Sequence, residues 1–316
     1  MNKDDAIYVA GHRGMVGSAT VRALKSNGYT NIVTATREEV DLKNQKDVNL
    51  FFKNLNIDYV VLAAAKVGGI LANNDLKADF IYENTIIGAN IIKACHDNKV
   101  KKLINLGSSC IYPKESQIPI KEEYLLTGKL EPTNEPYAIA KIAALKMCES
   151  FYHQYDDNYY SLMPCNLYGI NDNFDLKSSH VLPALINKVH HAKSSNSPSI
   201  TLWGSGKPLR EFLFSEDVAS AILFCLENVD AKDIYEQGIS HLNCGSNEEL
   251  SILDLLLKIK NIISYEGEIL FDSSKPDGTF RKKMDNSRIN QLGFIPQVSI
   301  DEGIAKTYSW YLSNSE

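Results

Sequence analysis

Tyr137 and Lys141, in the run Pro136-Tyr137-Ala138-Ile139-Ala140-Lys141, are the two residues of this chain with the clearest chemical use. Four positions apart on a helix, a phenol and an ammonium share one face. A cation beside a phenol favours the phenolate and lowers the phenol's pKa toward the working range of a proton donor or acceptor. Ser108, in Gly107-Ser108-Ser109-Cys110, offers a hydroxyl that could bond the same carbonyl oxygen. Together the three would stabilise an oxyanion that forms or collapses as hydride moves. The Tyr-x-x-x-Lys spacing identifies nothing by itself; its position among the surrounding elements decides.

A second constellation lies near the N-terminus. Gly11-His12-Arg13-Gly14-Met15-Val16-Gly17 follows the apolar run Ile7-Tyr8-Val9-Ala10 and precedes a helical pattern. Glycines spaced in this way let the chain reverse sharply, admit a pyrophosphate close to the backbone, and leave free N–H groups at the helix start. That predicts a dinucleotide site. The next strand ends Thr34-Ala35-Thr36-Arg37, without the acid that usually holds an NAD ribose 2′-hydroxyl. Arg13 and Arg37 converging on one spot would suit a 2′-phosphate, and hence NADP(H). The competing reading pairs Arg37 with its neighbours Glu38 or Glu39.

The elements that would position these groups alternate in type. Short β-branched runs at 7–10, 31–36, 59–63, 102–106 and 159–163 are separated by helical patterns at 15–27, 44–55, 80–98 and 135–155. Such a series predicts an α/β fold of Rossmann type, a doubly wound parallel sheet, with a smaller C-terminal substrate-binding region. After Tyr168-Gly169 the regularity breaks into polar loop (171–179), helix (180–193), a Ser/Pro/Asn linker (194–199) and a second βα series. The expected division is 1–167 for the NADP-binding domain, with a return segment at about 210–245. Residues 168–209 and 246–316 form the second region.

The bulk composition restricts the partners. Of 316 residues, 44% are hydrophobic and 23% charged, with a net charge of −6 and the basic residues scattered singly or in pairs. That gives no footprint for nucleic acid or an anionic membrane. The charged start Met1-Asn2-Lys3-Asp4-Asp5 and the short apolar run after it predict neither a signal peptide nor a membrane span. Six cysteines without a Cys-x-x-Cys pair argue against a zinc site and a disulfide framework, so no metal is expected and a cytoplasmic location is.

The Ser108…Tyr137-x-x-x-Lys141 set with Gly11-x-x-Gly14-x-x-Gly17 resembles the extended short-chain dehydrogenase/reductase family of nucleotide-sugar enzymes. Longer runs are similar to its branch that epimerises and reduces GDP-linked 4-keto-6-deoxy sugars. They are 11–18, 63–69, Gly107-Ser-Ser-Cys-Ile-Tyr-Pro113, Glu131-Pro-Thr-Asn-Glu-Pro-Tyr137, Trp203-Gly-Ser-Gly206, Arg210-Glu-Phe212 and 274–279. The resemblance implies that Ser108, Tyr137 and Lys141 are the reductase set, and that Cys110 and His180 are the acid/base pair inverting C3 and C5. It implies cofactor contacts from Gly11 to Gly17 and Arg37, and from Leu106, Gly107, Ser108, Ser109, Lys141, Pro164, Cys165, Asn166, Leu167 and His180. It places Lys188, Trp203, Arg210 and Asp277 on the GDP-sugar, and it implies a homodimer. The chemistry asks for such a pair independently, because a C4 ketone acidifies the hydrogens at C3 and C5 and inversion needs one group on each face.

Three positions depart from the branch's pattern: Ile170 for a proline, Phe280 for a proline, and Lys188 for an arginine. A lysine cannot make a bidentate fork. All three bear on the sugar-diphosphate side, which leaves open a heptose substrate or a 4-reductase that does not epimerise. A dehydratase of this family carries an acid soon after the active-site Ser/Thr, where this chain has Ser109-Cys110. A non-catalytic NADP-sensing module would be expected to have lost the tyrosine or the lysine, and both are present.

Overall fold

The computed structural model describes residues 1–314 apart from 177, 275, 276 and 278, and leaves out the side chains of 70 and 71. The first half alternates strand and helix: β1 (Ile7–Ala10), α1 (Met15–Ser26), β2 (Ile32–Val33), α2 (Gln45–Asn54), β3 (Tyr59–Leu62), α3 (Ile70–Asp75), α4 (Lys77–Asp97), β4 (Lys102–Leu106), α5 (Glu135–Tyr155) and β5 (Tyr159–Pro164). Then come β6 (Asn166–Tyr168), α6 (Val181–Ser194), β7 (Ser199–Trp203), β8 (Leu209–Phe214), α7 (Ser215–Asn228), α8 (Lys232–Tyr235) and β9 (His241–Cys244). The chain closes with β10 (Glu249–Ser251), α9 (Ile252–Ile263), β11 (Glu268–Asp272), β12 (Arg281–Lys282), α10 (Ser287–Leu292) and α11 (Ile300–Asn314).

Six strands form one parallel sheet in the order β2-β1-β3-β4-β5-β9. β1, β4, β5 and β9 are buried along their whole length, which is why they read as continuous apolar runs and not as alternating ones. The order reverses between β1 and β3, so the crevice at their C-terminal ends is where such a sheet takes a ligand. Helices α4 and α5 pack together on one face, and α1 with α7 on the other.

The remaining strands build two small sheets, β10-β8-β12 with β6 joined to β8, and β11-β7. These share a second apolar core with α6, α9 and α11, centred on Ile186, Val189, Leu255, Ile259 and Ile304. Within the segment read as returning, α7 and β9 lie with the large sheet, whereas β8 is the middle of a small one.

Some boundaries differ from expectation. β2 is two residues and not six, because Thr36 N donates to the Glu39 carboxylate at 2.6 Å and the chain turns before it can continue the ladder. Helix α3 was not expected, and the 194–199 linker is shorter than read, since α6 reaches Ser194 and β7 begins at Ser199. Among the described residues, no helix is long and apolar enough to cross a membrane.

Candidate active site

A cleft of about 810 Å³ opens at the C-terminal ends of β1, β3, β4 and β5. That falls within the size range of ligand pockets. Every residue from Gly11 to Gly17 lines it, with Arg37, Leu106 to Ser109, Tyr137, Lys141, Pro164 to Leu167 and His180. Of the residues expected at the cofactor, none lies elsewhere.

The glycine turn is built to leave room for a backbone approach. Gly11 has φ +84°, and a Cβ there would stand 2.7 Å from Ala64 N. A Cβ on Gly17 would lie 2.1 Å from the Gly11 carbonyl oxygen, so α1 packs against the turn only because residue 17 has no side chain. Gly14, the residue before α1, caps it without a side-chain bond, which leaves the first-turn N–H groups free for an anion. Arg13 and Arg37 both face the cleft, and no ion pair ties either guanidinium to a carboxylate among the described residues. Glu39 is engaged by Thr36 N instead of Arg37. Three buried polar atoms on the cleft wall lack partners among the described residues: His12 Nδ1, Asp172 Oδ2 and Ser179 Oγ. A glycine cradle, two guanidiniums facing the cleft and orphaned polar atoms fit a phosphorylated dinucleotide.

At the other end, β4 runs into Gly107 and the short 3₁₀ turn Ser109–Ile111, capped by the Ser108 hydroxyl on Cys110 N at 3.4 Å. Tyr137 and Lys141 stand on the first turns of α5, whose N-terminus is set by Pro136. Phe80 packs edge-on to the Tyr137 ring, with centroids 6.1 Å apart. The expected depression of the tyrosine pKa is not what the ligand-free site shows. Burial drives Tyr137 well above the ordinary phenol value, helped by Cys110 and opposed by Ser108. Burial also lowers Lys141, to about 8. The physical reason is that Lys141 gives its ammonium to the Leu106 carbonyl at 2.7 Å and stands 5.8 Å from the ring centroid, so desolvation outweighs its pull on the phenol.

Cys110 is buried beside this set, and burial raises its thiol pKa against the charges of Lys282 and Lys141 and the Ser108 hydroxyl. His180, immediately before α6, stands on the facing wall, with its imidazole pKa lowered by desolvation. Both groups are therefore uncharged near neutrality: a protonated thiol and a free imidazole.

Lys188 on α6, Trp203 on β7, Arg210 on β8 and Asp277 between β11 and β12 do not line this cleft. Lys188 Nζ donates to Thr201 O at 2.5 Å and sits 5.9 Å from the Trp203 ring centroid. Trp203 is 59% exposed, so it is no core aromatic. Asp277 accepts from Ser205 N at 2.8 Å and from Ser205 Oγ at 2.7 Å, and no ion pair joins it to Arg210 among the described residues. Residues 275, 276 and 278 of the motif around it lie outside the described residues. Lys282, a residue the sequence did not single out, stands opposite Arg210 across β12 and β8, and its charge also acts on Cys110. Asp172 and Ser179 are among the other cleft residues missed; only the fold brings them to the cleft wall.

The parallel sheet, the glycine turn at its switch point and the Ser/Tyr/Lys set at the end of β4 define a nicotinamide-dependent enzyme of the short-chain type. The chain belongs to the NAD dependent epimerase/dehydratase family, which residues 7–245 match. It is 49% identical to the GDP-L-fucose synthase of Escherichia coli (strain K12), over 98% of this chain and 97% of that one. Among solved structures, the GDP-mannoheptose C4 reductase of Campylobacter jejuni with NADP bound is similar at 38% identity and TM-score 0.92, covering 99% of both chains. A GDP-L-fucose synthetase of Naegleria fowleri bound to NADP is similar at 28% identity and TM-score 0.88, over 100% of this chain and 96% of that one.

Proposed function

We propose that this chain carries out the GDP-L-fucose synthase reaction. It would invert C3 and C5 of GDP-4-keto-6-deoxy-D-mannose and reduce the C4 ketone with NADPH. The observation that carries the reading is one cleft that joins a dinucleotide cradle to Ser108, Tyr137, Lys141 and His180, with Cys110 buried beside that set. Full-length identity to the Escherichia coli synthase supports the substrate class.

Gly11 to Gly17 would cradle the pyrophosphate, Arg13 and Arg37 would hold the 2′-phosphate, and Leu106 to Ser109 with Pro164 to Leu167 would line the nicotinamide side. Bound NADPH supplies the hydride to C4. Tyr137 gives its phenolic proton to the C4 oxygen, and its raised pKa keeps that proton in place until it is needed. Ser108 bonds the same oxygen, and the Lys141 charge steadies the phenolate left behind. Cys110 and His180, one with a proton to give and one with a free lone pair, take a proton from C3 or C5 and return one to the opposite face. Lys188, Trp203, Arg210 and Asp277 would hold the GDP-sugar, with Trp203 offering an exposed ring for stacking. The chain would act in the cytoplasm as a homodimer. Exposed Ile81 and Tyr82 of α4 beside exposed Ile139 of α5 support a second copy on that face.

The test is isotope exchange. In D₂O without NADPH, the native enzyme should wash deuterium into C3 and C5 of the keto-sugar, read by NMR. Cys110→Ser should lose most of that exchange and still bind NADPH, because a hydroxyl gives up its proton far less readily than a thiol. Tyr137→Phe should keep the exchange and lose reduction by about 10²–10⁴. A native enzyme that reduces the ketone without exchange would instead be a 4-reductase. The likeness to the Campylobacter jejuni reductase and the lysine at 188 favour that second reading.

A further inference from the structure

Residues 171–176 and 178–180 form a strap along the cleft, tied at two points. Asn171 Nδ2 donates to the Arg13 carbonyl at 2.6 Å, beside the glycine turn. At the far end, Gly69 N donates to the Ser178 carbonyl at 2.9 Å. Between the ties the strap is folded by its own side chains: Asp172 Oδ1 accepts from Asn173 N at 2.7 Å, Asn173 Oδ1 from Asp175 N at 3.0 Å, and Asp175 Oδ1 from Ser178 N at 2.9 Å.

This folding uses one oxygen of Asp172 and strands the other. Oδ2 is buried on the wall of the cleft with no donor among the described residues. A carboxylate oxygen left unpaired away from water is costly, and natural interiors rarely keep one without a use. Burial pushes the carboxyl up to about 7 against the backbone N–H groups of Asn173 and Gly169, and no cation among the described residues contributes. The donor it lacks is therefore one that a ligand brings. Its neighbour Asn171 bonds the Arg13 carbonyl and both residues line the cleft, beside the turn where a dinucleotide's ribose and pyrophosphate lie. A phosphate has no proton to give there at neutral pH, whereas a ribose offers hydroxyl donors.

We infer that Asp172 is a further cofactor-holding residue, its Oδ2 accepting a hydrogen bond from a ribose hydroxyl of the dinucleotide. The inference rests on the reading that this cleft takes NADP(H). The strap then holds the cofactor from above while the glycine turn holds it from below, and His180 at its end is placed by the same segment.

The experiment measures equilibrium binding of NADPH, 2′,5′-ADP and GDP to the native protein and to Asp172→Asn and Asp172→Ala, with the melting temperature of each ligand-free protein. The asparagine keeps the acceptor that folds the strap. NADPH affinity should fall about tenfold or more in both variants, the size expected for one charge-assisted bond. GDP affinity should be unchanged, and the ligand-free Asp172→Asn should melt no lower than the native protein, since it sheds an unpaired buried charge. A parallel loss for 2′,5′-ADP assigns the adenosine ribose, and a loss for NADPH alone assigns the nicotinamide ribose. Unchanged NADPH affinity, or a lower melting temperature with GDP binding impaired equally, would overturn the assignment. A native protein that binds no NADPH would refute the cofactor reading itself.

Discussion

At the scale of single residues, the site is a study in how burial competes with charge. Arg13 and Arg37 are the exception: they face the cleft with no ion pair among the described residues, although their charges act on nearby Glu38, and Glu39 is bonded to the Thr36 backbone. That geometry suits a 2′-phosphate and makes a direct test. Arg37→Ala should weaken NADPH binding by roughly tenfold or more, one charge-assisted contact being worth about 1.5–3 kcal/mol, and leave NADH nearly untouched. Equal losses for both cofactors, measured by fluorescence titration, would remove the assignment. The residues of this site were largely legible in the sequence because their chemistry is local: three glycines in seven positions, a phenol and an ammonium one helical turn apart. The protonation states were not legible. A lysine four residues from a tyrosine suggests a depressed phenol pKa, but the fold buries both and turns the ammonium to Leu106 O. Lys282 and Asp172 were invisible for a related reason, since nothing near them in sequence marks them; β12 and the strap carry them to their places.

At the scale of elements, the strands and helices of the first half follow from apolar periodicity. The exceptions are instructive. β2 stops early because a side chain captures its backbone, and α3 and β6 are too short for periodicity to register. The junction of β1 and α1 shows the tightest fit between sequence and geometry. The Gly17 position approaches the Gly11 carbonyl so closely that a methyl group would stand 2.1 Å from its oxygen, and its nearest neighbours there are all backbone that cannot swing aside. Gly17→Ala should therefore displace α1 from the turn. Overpacking of this kind costs about 1–3 kcal/mol. The expected result is a melting temperature lowered by several degrees and a larger fractional loss of NADPH affinity than of GDP affinity. A variant that melts and binds as the native protein does would show that the helix can slide without cost.

At the scale of the whole molecule, the large sheet and the segments that carry the small ones meet in a buried polar network. Tyr112, just past the Cys110 turn, bonds Asn243 Oδ1 at 2.5 Å and His241 Nε2 at 2.6 Å. Asn243 Nδ2 donates to Ile120 O and Asp285 O, which fixes Oδ1 as the acceptor facing the phenol. The phenol thus donates to Asn243, and His241 must carry its proton on Nε2, leaving Nδ1 to accept from Ser240 Oγ at 3.0 Å. Asn243 N donates to Glu122 Oε1, whose other oxygen takes Arg288 at 2.5 Å. The network holds β9, the turn bearing Ser108 and Cys110, and the stretch after β12 in one arrangement, around an imidazole whose burial disfavours its charged form. Burial, with the charges of Lys146 and Arg288, lowers the His241 pKa from 6.5 to about 3. The unfolded chain accepts a proton below pH 6.5 that the folded chain refuses until about pH 3. Stability from this group is therefore present above pH 6.5 and lost as pH falls through that window, about 2 kcal/mol of it between pH 7 and 5. His241→Gln removes the titration. That variant should be less stable than the native protein at pH 7, because it disturbs a buried network, yet lose less on acidification. Urea unfolding at pH 7 and pH 5 measures both. If the two proteins lost stability in parallel between those values, the imidazole would not be the group that couples this junction to pH.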